Sequence, residues 1–139
     1  MLNLYPPYIG AGVKVTHVSD DWRELHVSMK LRWYNRNYVG THFGGSLSAM
    51  TDPFFMLMLM NILGKEYIVW DQAATIKFIR PGRGRVVARF HLDQAQIDEI
   101  HAQMQSGSVF HPEYEVEILD EEGQVVAQVV KQEYIRKKA

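Results

Sequence analysis

The 139-residue chain contains no cysteine. That excludes a disulfide scaffold, a thiolate nucleophile and any cysteine-based zinc or iron–sulfur site, and it agrees with a reducing compartment. A basic excess is missing too. Fifteen Lys and Arg stand against sixteen Asp and Glu, for a formal net charge of −1, so the electrostatic footprint of nucleic-acid binding is absent. No repeat and no Pro/Gly/Ser-rich linker divides the sequence, which reads as one domain over residues 1–139. The opening Met1-Leu2-Asn3-Leu4-Tyr5-Pro6-Pro7 lacks the basic and apolar regions of a leader. The most apolar stretch, Leu47 to Leu63, is 17 residues long and holds Asp52, Pro53 and Asn61, too short and too polar to cross a bilayer. These features lead to the expectation of a soluble, cytoplasmic domain with no nucleic-acid or membrane partner.

Other chemistries also lack their marks. The six histidines lie 9 to 49 residues apart along the chain, without the H-x-x-x-H or H-x-H spacing of a metal site, so no metal is expected. Ser46 and Ser48 belong to no G-x-S-x-G elbow. No Walker A or dinucleotide-binding glycine motif occurs. Met56, Met58 and Met60 suit a core or an acyl tunnel better than a metal.

What is present is enough apolar material, 47% of residues, to build a core. Residues 12–19 alternate Val13 and Val15 with polar residues, and 24–32 alternate Leu25, Val27, Met29 and Leu31; joined by Asp20-Asp21, they read as a hairpin. Residues 33–45 read as loop. Residues 46–63 are apolar all round and read as one buried helix, closed by Gly64. Strands follow at 67–80 and 85–93, joined by a Pro81-Gly82-Arg83-Gly84 turn. A short helix at 94–105 precedes a second hairpin, 114–119 and 124–135. A helix apolar on every side needs a sheet curled about it. The class is α+β, with an antiparallel sheet around one long buried helix.

The segment Asn37-Tyr38-Val39-Gly40-Thr41-His42-Phe43-Gly44-Gly45-Ser46-Leu47-Ser48-Ala49-Met50-Thr51-Asp52 resembles the signature of the hotdog-fold acyl-CoA thioesterases, in particular the small phenylacetyl-CoA thioesterase type. That signature runs Asn, a short loop, His-Gly-Gly, six residues, then Asp. Asn37, Gly44, Gly45 and Asp52 match it, and Thr75 to Gly82 is similar to the family's strand ending in Arg-Pro. Two positions depart. Phe43 stands where the family has His, with His42 one residue earlier, and Pro53 follows the Asp where a small or polar residue is usual.

The resemblance implies a hotdog fold, a homo-oligomer (a dimer or a dimer of dimers), and hydrolysis of a small-molecule acyl thioester. Coenzyme A is then part of the substrate, and no separate cofactor is needed. Asp52 is implied as nucleophile or general base, and the Gly44 amide as oxyanion donor beside Gly45. Asn37 either hydrogen-bonds near the site or simply makes a turn. His42 either reaches the thioester carbonyl or, by preference, faces water from its loop.

Physical chemistry bears on each. A thioester hydrolase needs a carboxylate to attack or to activate water, and donors for the developing oxyanion. Glycines without Cβ let their amides approach a ligand, although a Gly pair also suits any tight turn. A carboxylate in an apolar helix is costly unless paired or used, but Asp-Pro is also a good helix start, with Asp as N-cap. Lys77, Arg80, Arg83 and Arg85 could bind coenzyme A phosphates or simply be a solvated hairpin end. A continuous helix would hold Gly45 and Asp52 about 10 Å apart, too far to act on one carbonyl. The expectation is therefore a site between subunits, with Asp52 near the partner's glycine amides. The alternative function is a non-catalytic acyl- or thioester-binding hotdog protein. A hotdog dehydratase would want a loop His paired with a helix Glu, which are lacking.

Overall fold

The computed structural model describes residues 2–139. Six strands form one sheet: β1 (Val13–Val18), β2 (Glu24–Lys30), β3 (Tyr67–Phe78), β4 (Arg85–His91), β5 (Glu113–Leu119) and β6 (Val125–Lys137). Their order is β1-β2-β4-β5-β6-β3, every pair antiparallel. The strands form where apolar residues alternate with polar ones. Leu25, Val27 and Met29 on β2, Val86, Ala88 and Phe90 on β4, and Val116 and Ile118 on β5 all turn inward and are buried.

Against them lie four helices: α1 (Pro6–Ala11), α2 (Gly44–Ala49), α3 (Phe54–Leu63) and α4 (Gln94–Gln105). α3 supplies the centre of the core with Phe54, Phe55, Met58 and Leu59. Phe55 meets Phe90 edge-on at 5.0 Å between ring centroids and Tyr114 at 5.4 Å. Burying each such side chain contributes roughly 1.5–3 kcal/mol. α4 begins with a full capping box between Asp93 and Gln96 and lays Ile97, Ile100 and Met104 on the core.

Three expectations need correction. The single helix over 46–63 is two helices, α2 and α3, separated by turn residues 50–53. Proline has no N–H to give to a helix, and its ring collides with the preceding turn, so the chain breaks at Pro53 and starts again at Phe54. The Asp52–Pro53 peptide bond is cis. Second, β3 and β4 do not form a hairpin. The Ile79 and Arg80 amides both donate to the Val126 carbonyl on β6, whereas the Gly84 carbonyl at the other end of the loop accepts from Leu31. The loop therefore carries the chain across from one strand neighbourhood to another. Third, α1 is additional: it starts at Pro6-Pro7, where a missing N–H costs nothing.

Gly44–Leu63 taken whole spans 20 residues with a mean hydropathy of 1.3, long and apolar enough for a membrane span. The case against that role is the sheet that packs on it and the break within it, rather than its length.

β3 lies at the sheet edge beside β6, and its other edge pairs with nothing among the described residues. Residues 72–75 are exposed along both faces, as are Trp70 and Phe78.

Candidate active site

The loop before α2 is fixed by amides. Asn35, buried, gives its Nδ2 to the Ala11 and Lys30 carbonyls at 2.9 Å and accepts from the Arg32 amide at 2.7 Å. Asn37 donates to Thr41 Oγ1 at 2.8 Å and accepts from the Val39 and Thr41 amides at 3.1 and 3.0 Å. Its side chain closes the loop, which is the turn-forming alternative for this residue.

His42 does not face water. It is 3% exposed, its amide donates to Gly82, and its Nε2 lies 2.8 Å from the Gly84 carbonyl. A carbonyl only accepts, so Nε2 carries the proton and Nδ1 is left as a buried acceptor with no partner among the described residues. Burial pushes its pKa below the ordinary histidine value. A neutral ring in that tautomer pins the loop to residues 82–84 and has no second N–H to offer a carbonyl.

Gly44 and Gly45 open α2, and among the described residues their amides meet no acceptor. A Cβ on Gly44 would sit 3.1 Å from the Phe78 ring, and one on Gly45 would sit 2.5 Å from the Phe43 ring. A side chain at either position would therefore have to displace the exposed ring of Phe78 or Phe43. Gly44 lines a cleft of about 430 Å³ together with Asn37, His42, Leu47, Phe78 and Arg80.

Asp52 lies at the break between α2 and α3. The N-cap of α3 is Pro53, with no side-chain cap, so the capping alternative for Asp52 is overturned. Asp52 lines a different and smaller pocket, about 180 Å³, with Tyr5, Pro7, Tyr8, Ala49 and Pro53. The Tyr8 hydroxyl donates to its backbone carbonyl at 2.7 Å. Within one chain Asp52 and Gly44 thus face separate pockets.

Behind Asp52 stands a cluster that the motifs did not announce. Asp71 on β3 is the register partner of Glu133 on β6. Lys131, two residues earlier on the inward face of β6, places Nζ 3.3 Å from Asp71 Oδ2. Lys131 is 3% exposed and Glu133 0%. Among the described residues the carboxylate oxygens of Asp71 and Glu133 are buried without a hydrogen-bond partner. Burial, then the Asp71 carboxyl, pushes the Glu133 pKa up to about 9. Asp52 is raised as well, mainly by partial desolvation and by Asp71, against the opposing pull of Lys131. The readable signal was β6 itself: the period-2 register that buries Val129 and Ile135 also turns Lys131 and Glu133 inward.

The four cations divide. Arg80 and Arg83 share a surface pocket beside Asp120, Glu121 and Glu122, and Arg80 also reaches the Gly44 cleft while donating to Gln124. Arg85 turns to Ser28 Oγ at 3.3 Å. Lys77 stands exposed on the edge strand. The structure therefore brings Arg80 and Arg83 together, and leaves Arg85 and Lys77 apart from them.

An antiparallel sheet around a central helix, with this loop and glycine pair before it, defines the hotdog fold. Within that class, residues 1–135 match the family described as Domain of unknown function (DUF4442), and the chain belongs to it. Among solved structures it is similar to a Pseudomonas aeruginosa protein of unknown function termed a probable thioesterase. That match has 18% identity and a TM-score of 0.82, covering 96% of this chain and 89% of that one. It is also similar to a Haemophilus influenzae thioesterase (14% identity, TM-score 0.71, 98% and 86% covered). The phenylacetic acid degradation protein PaaI of Thermus thermophilus, in mutant form, is 26% identical with a TM-score of 0.64, covering 95% and 99%. No curated protein matches the sequence.

Proposed function

We propose that this protein hydrolyses acyl-CoA thioesters, with Asp52 as general base and the Gly44 amide as oxyanion donor. The observation that carries the reading is Asp52 itself: a carboxyl at an open helix break that caps nothing and whose proton affinity is raised. A raised carboxylate is a better base near neutral pH. Asp52 takes a proton from water as the water oxygen attacks the thioester carbon, and the carbonyl electrons move to oxygen against the amide. Collapse expels the thiolate, which takes the proton back from Asp52, leaving a carboxylic acid and coenzyme A.

Because Asp52 and Gly44 face separate pockets of one chain, the reading requires a second copy. The long free edge of β3 is suited to receive it, and Asp52 then serves the partner's glycine amides. Arg80 and Arg83 are assigned to the coenzyme A phosphates. Asn37 and His42 hold the loop and take no part in bond making. The protein is assigned to the cytoplasm, with no cofactor beyond its substrate.

A second reading, a binding protein without catalysis, is favoured by one feature: the Phe43 ring packs against Gly45. Assay of the purified protein against a panel of acyl-CoA thioesters, with a thiol-trapping reagent, separates the two. Release of thiol supports hydrolysis. Binding of acyl-CoA without release supports the second reading.

A further inference from the structure

The Asp52 carboxyl owes its direction to the backbone that carries it, and that backbone is irregular. α2 ends at Ala49 and α3 begins at Phe54, so Asp52 belongs to neither helix. Pro53 has no N–H to give, and among the described residues no backbone amide donates to the Asp52 carbonyl. A carbonyl without a partner leaves its peptide plane free to rotate, and the carboxyl turns with it.

One side chain supplies the missing donor. Tyr8 of α1 is 3% exposed and gives its hydroxyl proton to the Asp52 carbonyl at 2.7 Å, across 44 positions of sequence. Burial holds the hydroxyl above its ordinary pKa, so it stays protonated and keeps donating. The ring is held as well. It stacks on Phe54, the first residue of α3, at 5.4 Å between centroids, and meets the Tyr5 ring edge-on at 4.9 Å.

α1 is itself tied down on both sides. Before it, Asn3 exchanges two hydrogen bonds with Val15 of β1, at 2.8 and 3.1 Å. At its far end, the buried Asn35 side chain donates to the Ala11 carbonyl at 2.9 Å. The Asn35 carbonyl in turn accepts from the Phe43 amide at 3.0 Å, directly ahead of Gly44. A helix of six residues, too short to be stable alone, is thus fixed to the sheet and to the glycine loop. It presents Tyr8, with Tyr5 and Pro7, as one wall of the Asp52 pocket.

We infer that Tyr8 is a positioning residue for Asp52: its hydroxyl fixes the backbone of the α2–α3 break, and so the direction in which the carboxyl enters its pocket. The inference rests on Asp52 being the base assigned above. Tyr8 touches no reacting atom. It keeps the base in line, and a displacement of about 1 Å at a catalytic group can cost roughly 10²-fold in rate.

Tyr8→Phe tests this, because the ring and its stacking remain and only the hydroxyl is lost. Acyl-CoA kinetics are measured for the parent, Tyr8→Phe, Asp52→Asn and the double variant, with hydrogen–deuterium exchange on the first two. In Tyr8→Phe kcat should fall about tenfold or more, with KM nearly unchanged. In the Asp52→Asn background no base is left to misplace, so the same change should cost nothing further. The Thr51 and Asp52 amides donate to the Ser48 and Ala49 carbonyls. In Tyr8→Phe they should exchange about fivefold faster, the effect of losing one hydrogen bond of ordinary net strength, while β2 and β4 keep the parent's rates.

An unchanged kcat, or an equal loss in both backgrounds, would overturn the inference, since Tyr8 would then act apart from Asp52. Parent-like exchange at the break would overturn it too, with no need of turnover. A parent that hydrolyses no acyl-CoA, while the break still loosens in Tyr8→Phe, would remove the proposed activity and leave Tyr8 as the residue that sets the Asp52 backbone.

Discussion

The two halves of the sheet use their inner faces differently. β4 turns only Val86, Ala88 and Phe90 inward, all at 0% exposure, against the aromatic face of α3. β6, two strands away, begins the same way with Ala127 and Val129, then places Lys131 and Glu133 where the pattern calls for apolar residues, opposite Asp71 of β3. Replacing a buried ion pair by apolar side chains is often neutral or stabilising. Packing stability therefore resides in the apolar half rather than in the charged positions of β6.

Substitutions in each half should separate cleanly. Phe90→Ala removes a ring from the packed half and should cost about 3–5 kcal/mol of unfolding free energy, read by denaturant melts, with the pH dependence of stability unaltered. Equal pH profiles but little loss of stability would mean that the core relaxes around the cavity.

Glu133→Gln should do the reverse. The folded pKa of Glu133, about 9, lies above its ordinary value of 4.5, so the folded state binds the proton more tightly than the unfolded one. Its contribution is fully present below pH 4.5 and is lost as pH rises toward 9. The melting temperature of the parent should therefore fall over that window, and the glutamine variant should flatten the fall. A parent and a variant with parallel curves would place Glu133 in the ordinary carboxylate range.

A smaller effect belongs to the surface. Arg80→Ala or Arg83→Ala should raise KM for acyl-CoA several-fold with kcat little changed, because phosphate contacts bind ground and transition state alike. Acyl-pantetheine, without those phosphates, should be indifferent. Equal losses on both substrates would make the arginines structural. Smaller again, Lys77→Ala should change neither constant, since Lys77 stands apart from that pair.

The contrast between the two halves also marks what the sequence discloses. β1 and β2 were legible because alternation is a local signal, and the other strands and α4 because turn residues mark them off locally. The helix break at Pro53 was readable from proline alone, but the apolar run on both sides masked it. The partner of β3 was not readable, because the choice between β4 and β6 is made by distant hydrogen bonds to Val126 and Leu31. α1 has six residues and too short a pattern to show a period. For the site, Asp52, Gly44 and Gly45 were named by the resemblance to the thioesterase signature. The loop around His42 hid that its ring is buried against Gly84, 42 positions on. Asp71 meets Glu133 only across a strand pair, so the cluster could be suspected from the inward register of β6 and located only in three dimensions.

The account stands or falls on Asp52. The decisive measurement is acyl-CoA hydrolysis by Asp52→Asn beside the parent, with both melting curves recorded. Asn keeps the shape and loses the base, so hydrolysis should drop by about 10²-fold or more while the melting temperature stays within a few degrees. Parent-level hydrolysis in the folded variant would contradict the assignment and return Asp52 to a purely structural role.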